Sequence, residues 1–125
     1  MKNERTSRRV LVVDDENIIA DSLALILKRS GFEAEAVYSG EMAIETARDL
    51  RPDVLICDVI LRGITGVEAA IHIARILPTC RVILFSGQAG TSDLLQRAHS
   101  EGHKFEMIPK PVHPQVLLTL LGKTA

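Results

Sequence analysis

An α/β fold of the (βα)5 type is predicted by three observations: five short runs of strand length, a helix-period segment after each, and proline or glycine closing most segments. The strongest runs, Val10 to Val13, Val54 to Cys57 and Val82 to Phe85, are near-continuous and rich in β-branched residues. Such runs suit parallel strands covered on both faces. Two weaker runs, Glu33 to Tyr38 and Phe105 to Ile108, mix charge with apolar residues and suit the edges of a sheet.

The helices follow in order. The first places Ile19, Leu23, Ile26 and Leu27 on one face and stops at Gly31, a residue type suited to a helix C-terminus. The second runs from about Gly40 to Leu50, and Pro52 blocks its continuation. The third opens with Thr65 and Glu68 at capping-box spacing, turns Val67, Ala70, Ile71, Ala74 and Leu77 inward, and ends before Pro78. A fourth is expected from Ser92 to about Ser100, and a fifth from Pro114, a first-turn proline, through Leu121. Alternating strands and helices with short connections imply a parallel sheet wrapped on both faces, and right-handed crossovers leave few topologies. The expectation is a flavodoxin-like doubly wound sheet of five parallel strands in the order 2-1-3-4-5.

A chain of 125 residues has room for one core, and 46% hydrophobic with 25% charged residues is an ordinary globular composition. With 15 basic against 16 acidic residues, no overall field points to nucleic acid or an anionic membrane as partner. Arg5, Arg8 and Arg9 make a local basic cluster, read as belonging to a solvated N-terminal tail over 1–8 ahead of a domain over 9–122. No apolar run approaches the roughly 18 to 20 residues of a membrane span. The opening MKNERTSRR lacks the apolar core of a secretion signal, so the expected compartment is the cytoplasm. Cys57 ends one strand and Cys80 precedes its parallel neighbour, which separates them by roughly 15 Å against a disulfide limit of ~7 Å. No bridge is expected.

In a doubly wound sheet the ligand site lies beyond the carboxyl ends of the strands. Those ends carry Asp14 and Asp15, then Asp58, Ser86 and Lys110. Any one of them passes as a polar residue that terminates a strand or caps a helix. Five at one edge do not. Three carboxylates a few ångströms apart repel strongly in a partly buried site, and a hard divalent cation offsets that repulsion. All-oxygen ligands with retained waters suit Mg²⁺, which would also screen an incoming phosphoryl group. Lys110 offers a point positive charge to phosphoryl oxygens and Ser86 a hydroxyl donor, leaving Asp58 as the nucleophile.

The segments VLVVDDE, DVILRGITG beginning at Asp58, the strand ending FSG, and the pair Lys110 and Pro111 together resemble the signature blocks of response-regulator receiver domains, over roughly Arg9 to Leu121. The resemblance implies that Asp15 and Asp58 ligate Mg²⁺ directly with the backbone carbonyl of Ile60, and that Asp14 acts mainly through bound water. It implies that Asp58 takes a phosphoryl group from the phosphohistidine of a sensor histidine kinase or a histidine phosphotransfer protein. Such a domain is no turnover enzyme; it catalyses only its own phosphoryl gain and loss, which needs little beyond positioning and charge neutralisation. The resemblance also implies a cis peptide between Lys110 and Pro111.

A phosphoryl group brings a charge of about −1.5 to −2, which Ser86 would move to meet while the fourth helix, fifth strand and fifth helix respond. The family's usual strand-five aromatic, three positions before the lysine, is Met107 here, so the switch position lacks an aromatic rotamer. Ile60 stands where a polar residue is common and Arg62 where proline is frequent. Apolar Ile60 is expected to hinder attacking water, with Gln88 on the opposite rim as a residue that would instead orient it.

Other classes fit less well. An α/β-hydrolase needs glycine two residues before its serine, where Leu84 stands, and a flavin site needs a phosphate loop where Asp14, Asp15 and Glu16 stand. The alternative reading is a degenerate receiver used as a phosphorylation-independent interaction module. His99 and His103 lack a third metal ligand and read as surface residues. Val116, Leu117, Leu118, Leu120 and Leu121 make the last helix apolar on more than one face, which points to a homodimer through the fourth helix, fifth strand and fifth helix. Direct nucleic-acid binding, membrane contact and an output domain within this chain are not expected.

Overall fold

A computed structural model describes residues 8–87 and 92–122; Arg5 and Gln88 lie outside them. The elements alternate as β1 (Arg9–Val13), α1 (Asn17–Arg29), β2 (Glu33–Val37), α2 (Gly40–Leu50), β3 (Val54–Asp58), α3 (Gly66–Ile76), β4 (Arg81–Ser86), α4 (Ser92–Ser100), β5 (Glu106–Pro109) and α5 (Pro114–Leu120). All strand pairings are parallel and the order is β2-β1-β3-β4-β5. This is the flavodoxin-like sheet the sequence predicts. The strands extend one residue further than their apolar runs: Asp58 and Ser86 are the last residues of β3 and β4, not the residues after them.

The near-continuous apolar strands are explained by two cores, one on each face of the sheet. Side chains alternate across a strand, so Leu11, Val13, Leu55, Cys57 and Leu84 face α2 and α3. Val10, Val12, Ile56, Ile83 and Phe85 face α1 and α5. Each large side chain buried in this way contributes about 1.5–3 kcal/mol. Both cysteines are free, with Cys57 buried and Cys80 partly so.

The helices follow the sequence with local differences. In α1, Leu23 and Leu27 enter the core and Ile19 packs against it, whereas Ile26 lines a surface groove. Ser39 Oγ caps α2 by accepting from the Met42 amide at 3.1 Å. That helix stops at Arg51, whose left-handed φ of 51° ends it one residue before Pro52. The expected capping box of α3 forms: Thr65 Oγ1 accepts from the Glu68 amide at 3.1 Å, and the Thr65 amide donates to Glu68 Oε1 at 2.9 Å. Behind it, Ile73 takes the deep core position and Ala74 is only half-buried. In α5, Leu117 is buried, as is Leu121 just after the helix, while Val116 is 51% exposed.

Arg8, the last residue of the expected tail, is held against the fold. Its guanidinium donates to the Leu121 carbonyl and lies 5.2 Å from the centre of the Phe32 ring. Among the described residues, no helix is long and apolar enough to cross a membrane.

Candidate functional site

The carboxyl edge of the sheet gathers the predicted residues by backbone register. Asp14 follows Val13 at the end of β1, where its amide donates to the Val37 carbonyl at 3.2 Å. Its side chain is fully buried, with Oδ1 accepting from the Glu16 amide at 2.9 Å and Oδ2 left without a hydrogen-bond partner. Asp58 closes β3 opposite Phe85 and is 5% exposed. Its Oδ1 accepts from the Ile60 amide at 3.2 Å, and its Oδ2 accepts from Lys110 Nζ at 2.7 Å. The same ammonium is 3.7 Å from Asp14 Oδ2 and 5.4 Å from the centre of the Phe85 ring. Carboxyl oxygens of Asp14, Asp15 and Asp58 lie within 4.8 Å of one another.

Lys110 is delivered by β5: its amide donates to the Ser86 carbonyl at 3.2 Å, and the peptide it forms with Pro111 is cis. Asp14, Asp15, Asp58 and Lys110 therefore meet through their side chains, and Ser86 is tied to them at least through its backbone. Ile60 enters through its amide, with its side chain 46% exposed at the rim. Met107 pairs in register with Leu84, two residues before Ser86, so alternation puts all three side chains on one face of the sheet. His99 and His103 join no metal-type cluster among the described residues.

The electrostatics match a cation site. Burial raises the Asp14 pKa, and the charges of Asp58 and Asp15 add to it, against the Glu16 amide and Lys110, which lower it. Burial alone would depress the Lys110 amine, yet its hydrogen bond to Asp58 and the charges of Asp58, Asp14 and Glu16 hold it above the ordinary value. Lys110 stays an ammonium. Three carboxylates around one ammonium leave the pocket net negative, and the buried Asp14 Oδ2 accepts no hydrogen bond, with the Lys110 ammonium 3.7 Å away. An all-oxygen donor set with an orphaned buried oxygen fits a hard divalent ion.

Two further residues shape the site without a signal in composition or periodicity. Gly66, the first residue of α3, donates its amide to the Val59 carbonyl at 2.8 Å, and a Cβ there would sit 1.8 Å from the Asp58 carbonyl oxygen. Only its place as the last letter of DVILRGITG marks it in the sequence. Arg62, 91% exposed in its side chain, sets Nε 3.7 Å from Asp15 Oδ2.

Comparison with known proteins agrees with this architecture. The family model described as the response regulator receiver domain matches residues 10–122. This chain belongs to that family. The receiver is 28% identical to the DNA-binding response regulator MtrA of Mycolicibacterium smegmatis over 111 residues, covering 89% of this chain and 47% of MtrA. It thus spans about half the length of the MtrA relatives it matches. It is 29% identical to the chemotaxis protein CheY of Thermotoga maritima over 119 residues, covering 94% of this chain and 98% of that one. Among solved structures, a CheY-like receiver domain protein from Methanospirillum hungatei superposes with a TM-score of 0.85 at 25% identity, covering 94% of this chain and 92% of the other. The receiver fold and its signalling family are therefore established for this chain.

Proposed function

We propose that this receiver accepts a phosphoryl group on Asp58 from the phosphohistidine of a sensor histidine kinase or a histidine phosphotransfer protein, in a Mg²⁺-dependent reaction. The observation that carries the reading is the 2.7 Å contact of Lys110 Nζ with Asp58 Oδ2, inside a ring of carboxylates within 4.8 Å of one another. Asp14, Asp15, Asp58 and the Ile60 backbone carbonyl are the groups that would hold the metal. When bound, Mg²⁺ supplies the positive charge that offsets the acids and draws phosphoryl oxygens toward Asp58.

The chain's own part is positioning. Lys110 and the Ile60 amide fix both oxygens of Asp58, so the nucleophile meets the donor in one orientation. As the carboxylate–phosphorus bond forms, the phosphorus–nitrogen bond breaks and its electron pair returns to the donor imidazole. Lys110, cationic across the working pH range, then has a phosphoryl oxygen to hold, and Ser86 at the end of β4 offers its hydroxyl to another. Ser86 and Met107, on one face of β4 and β5, would carry the change toward α4 and α5.

A groove of about 500 Å³ beside the site, lined by Ile18, Ile19, Ile26, Lys110, Pro111 and Val112, supports docking of the donor there. Exposed Met107 and Val116 support a homodimer through α4, β5 and α5. Intact-mass measurement after treatment with acetyl phosphate and Mg²⁺ tests the reading. Wild type should gain one phosphoryl mass and Asp58→Asn none; no gain in wild type overturns the reading and favours a phosphorylation-independent interaction module.

A further inference from the structure

We infer that Arg62 is a built-in competitor of the divalent cation, raising the metal concentration this receiver needs. The inference rests on the metal site of the proposed function and concerns what tunes it. Arg62 Nε lies 3.7 Å from Asp15 Oδ2, and Asp15 is the most open of the three acids, its side chain 23% exposed against 0% for Asp14 and 7% for Asp58. A hydrated cation would therefore meet Asp15 first, and that carboxylate already faces a guanidinium.

Arg62 cannot leave the mouth as a whole, because the loop carrying it is pinned on both sides. The Ile60 amide is bound to Asp58 Oδ1, the Ile64 amide donates to Glu41 Oε2 at 3.3 Å, and the Thr65 amide donates to Glu68 Oε1 at 2.9 Å. Only the side chain can swing. It is 91% exposed, so nothing packs it into another position. Among the described residues its ion pair is with Asp15. Lys110 plays a different part: its ammonium contacts the two buried acids, 2.7 Å from Asp58 Oδ2 and 3.7 Å from Asp14 Oδ2. The pocket thus has one cation on the buried acids, which orients the acceptor, and an outer one paired with the entry carboxylate. A metal binding Asp15 must displace the outer one and then stand against a like charge.

Exposed pairs of this kind are weak, so the expected effect is modest and depends on charge. Binding of Mn²⁺ to the full chain, followed by electron paramagnetic resonance and repeated with Mg²⁺ by calorimetry, reads it directly. Arg62→Gln should bind about two- to fivefold more tightly than wild type, Arg62→Glu more tightly still, and Arg62→Lys close to wild type. The gap between wild type and Arg62→Gln should narrow as salt is raised. Arg75→Gln removes a positive charge that pairs with Glu101 on a different element and should leave affinity unchanged. Equal or weaker binding by both Arg62→Gln and Arg62→Glu overturns the inference. So does an equal gain in Arg75→Gln, which would make net charge the cause. Wild type that binds neither ion overturns the metal site itself, an outcome distinct from binding that ignores residue 62.

Discussion

Replacing Asp14 by asparagine is expected to stabilise the protein when divalent ions are removed, because the buried carboxylate is a cost in their absence. Carboxyl oxygens of Asp14, Asp15 and Asp58 lie within 4.8 Å of one another, and at an effective dielectric constant of about 20 each such pair repels by ~3.5 kcal/mol. The attraction of Lys110 at 3.7 Å returns ~4.5 kcal/mol on the same scale. Two repulsions exceed one attraction by about 2.5 kcal/mol, and screening at partly exposed Asp15 trims the difference toward about 1 kcal/mol. Desolvation of a fully buried carboxylate adds to the cost.

Asparagine keeps an Oδ1 to accept from the Glu16 amide and removes the buried negative charge, at the loss of the Lys110 attraction to Oδ2 already counted. A gain of about 1–3 kcal/mol follows, or roughly 3–10 °C in Tm for a domain of this size. Thermal unfolding by circular dichroism in EDTA at pH 7 measures it. The pH dependence has a definite sign: burial raises the folded-state pKa of Asp14 above 3.8, so the folded protein holds that proton more tightly than the unfolded chain. The variant's advantage is therefore complete above the folded-state pKa and shrinks as pH falls through it, where wild-type Asp14 protonates as well. Saturating Mg²⁺ should reverse the order, since wild type gains binding free energy that the variant loses in part. An asparagine variant no more stable than wild type in EDTA at pH 7 would mean that the buried Asp14 carboxylate carries no net cost in the folded protein.

Gly66→Ala is expected to lose about 3 kcal/mol or more in urea unfolding, because its Cβ would lie 1.8 Å from the Asp58 carbonyl oxygen and backbone cannot step aside as a side chain can; a loss under about 1 kcal/mol would show that the loop yields. Ile60→Asn places a hydrogen-bonding group at a rim position that is 46% exposed, and one water-orienting bond is worth about two- to tenfold in the rate of phosphoryl loss. The half-life of the phosphorylated protein, followed by intact mass, should shorten accordingly, and an unchanged half-life would remove Ile60 from any role in shielding the group.

The fold was legible because each class of signal had one physical cause. Val10–Val13, Val54–Cys57 and Val82–Phe85 read as buried parallel strands because both faces of the sheet are covered, and Thr65 with Glu68 read as a helix start because that spacing closes a reciprocal cap. Convergence of Asp14, Asp15, Asp58 and Lys110 was legible because doubly wound topology sends the strand ends to one edge. Other features depend on distances that sequence spacing does not encode. Nothing in periodicity says that Gly66 lies against the Asp58 carbonyl, that the Arg62 side chain turns back to Asp15, or that Arg8 reaches the Leu121 carbonyl. Arg51 in a left-handed conformation was equally hidden, because proline at 52 is the louder stop signal.

The segment from Asp58 to Gly66 has touching ends: the Gly66 amide is bound to the Val59 carbonyl at 2.8 Å, and its Cα lies under the Asp58 peptide. Such a clasp has a fixed circumference. One residue added or removed between them would pull Thr65 off its cap or swing Gly66 away from β3, so this stretch does not tolerate a change in the number of its residues. Within it, the side chains of Ile60 and Arg62 hang outward over the acids and bear none of the closure. Substitution at those two positions can reset how readily the pocket admits a metal or a water while the frame that aims Asp58 keeps its dimensions.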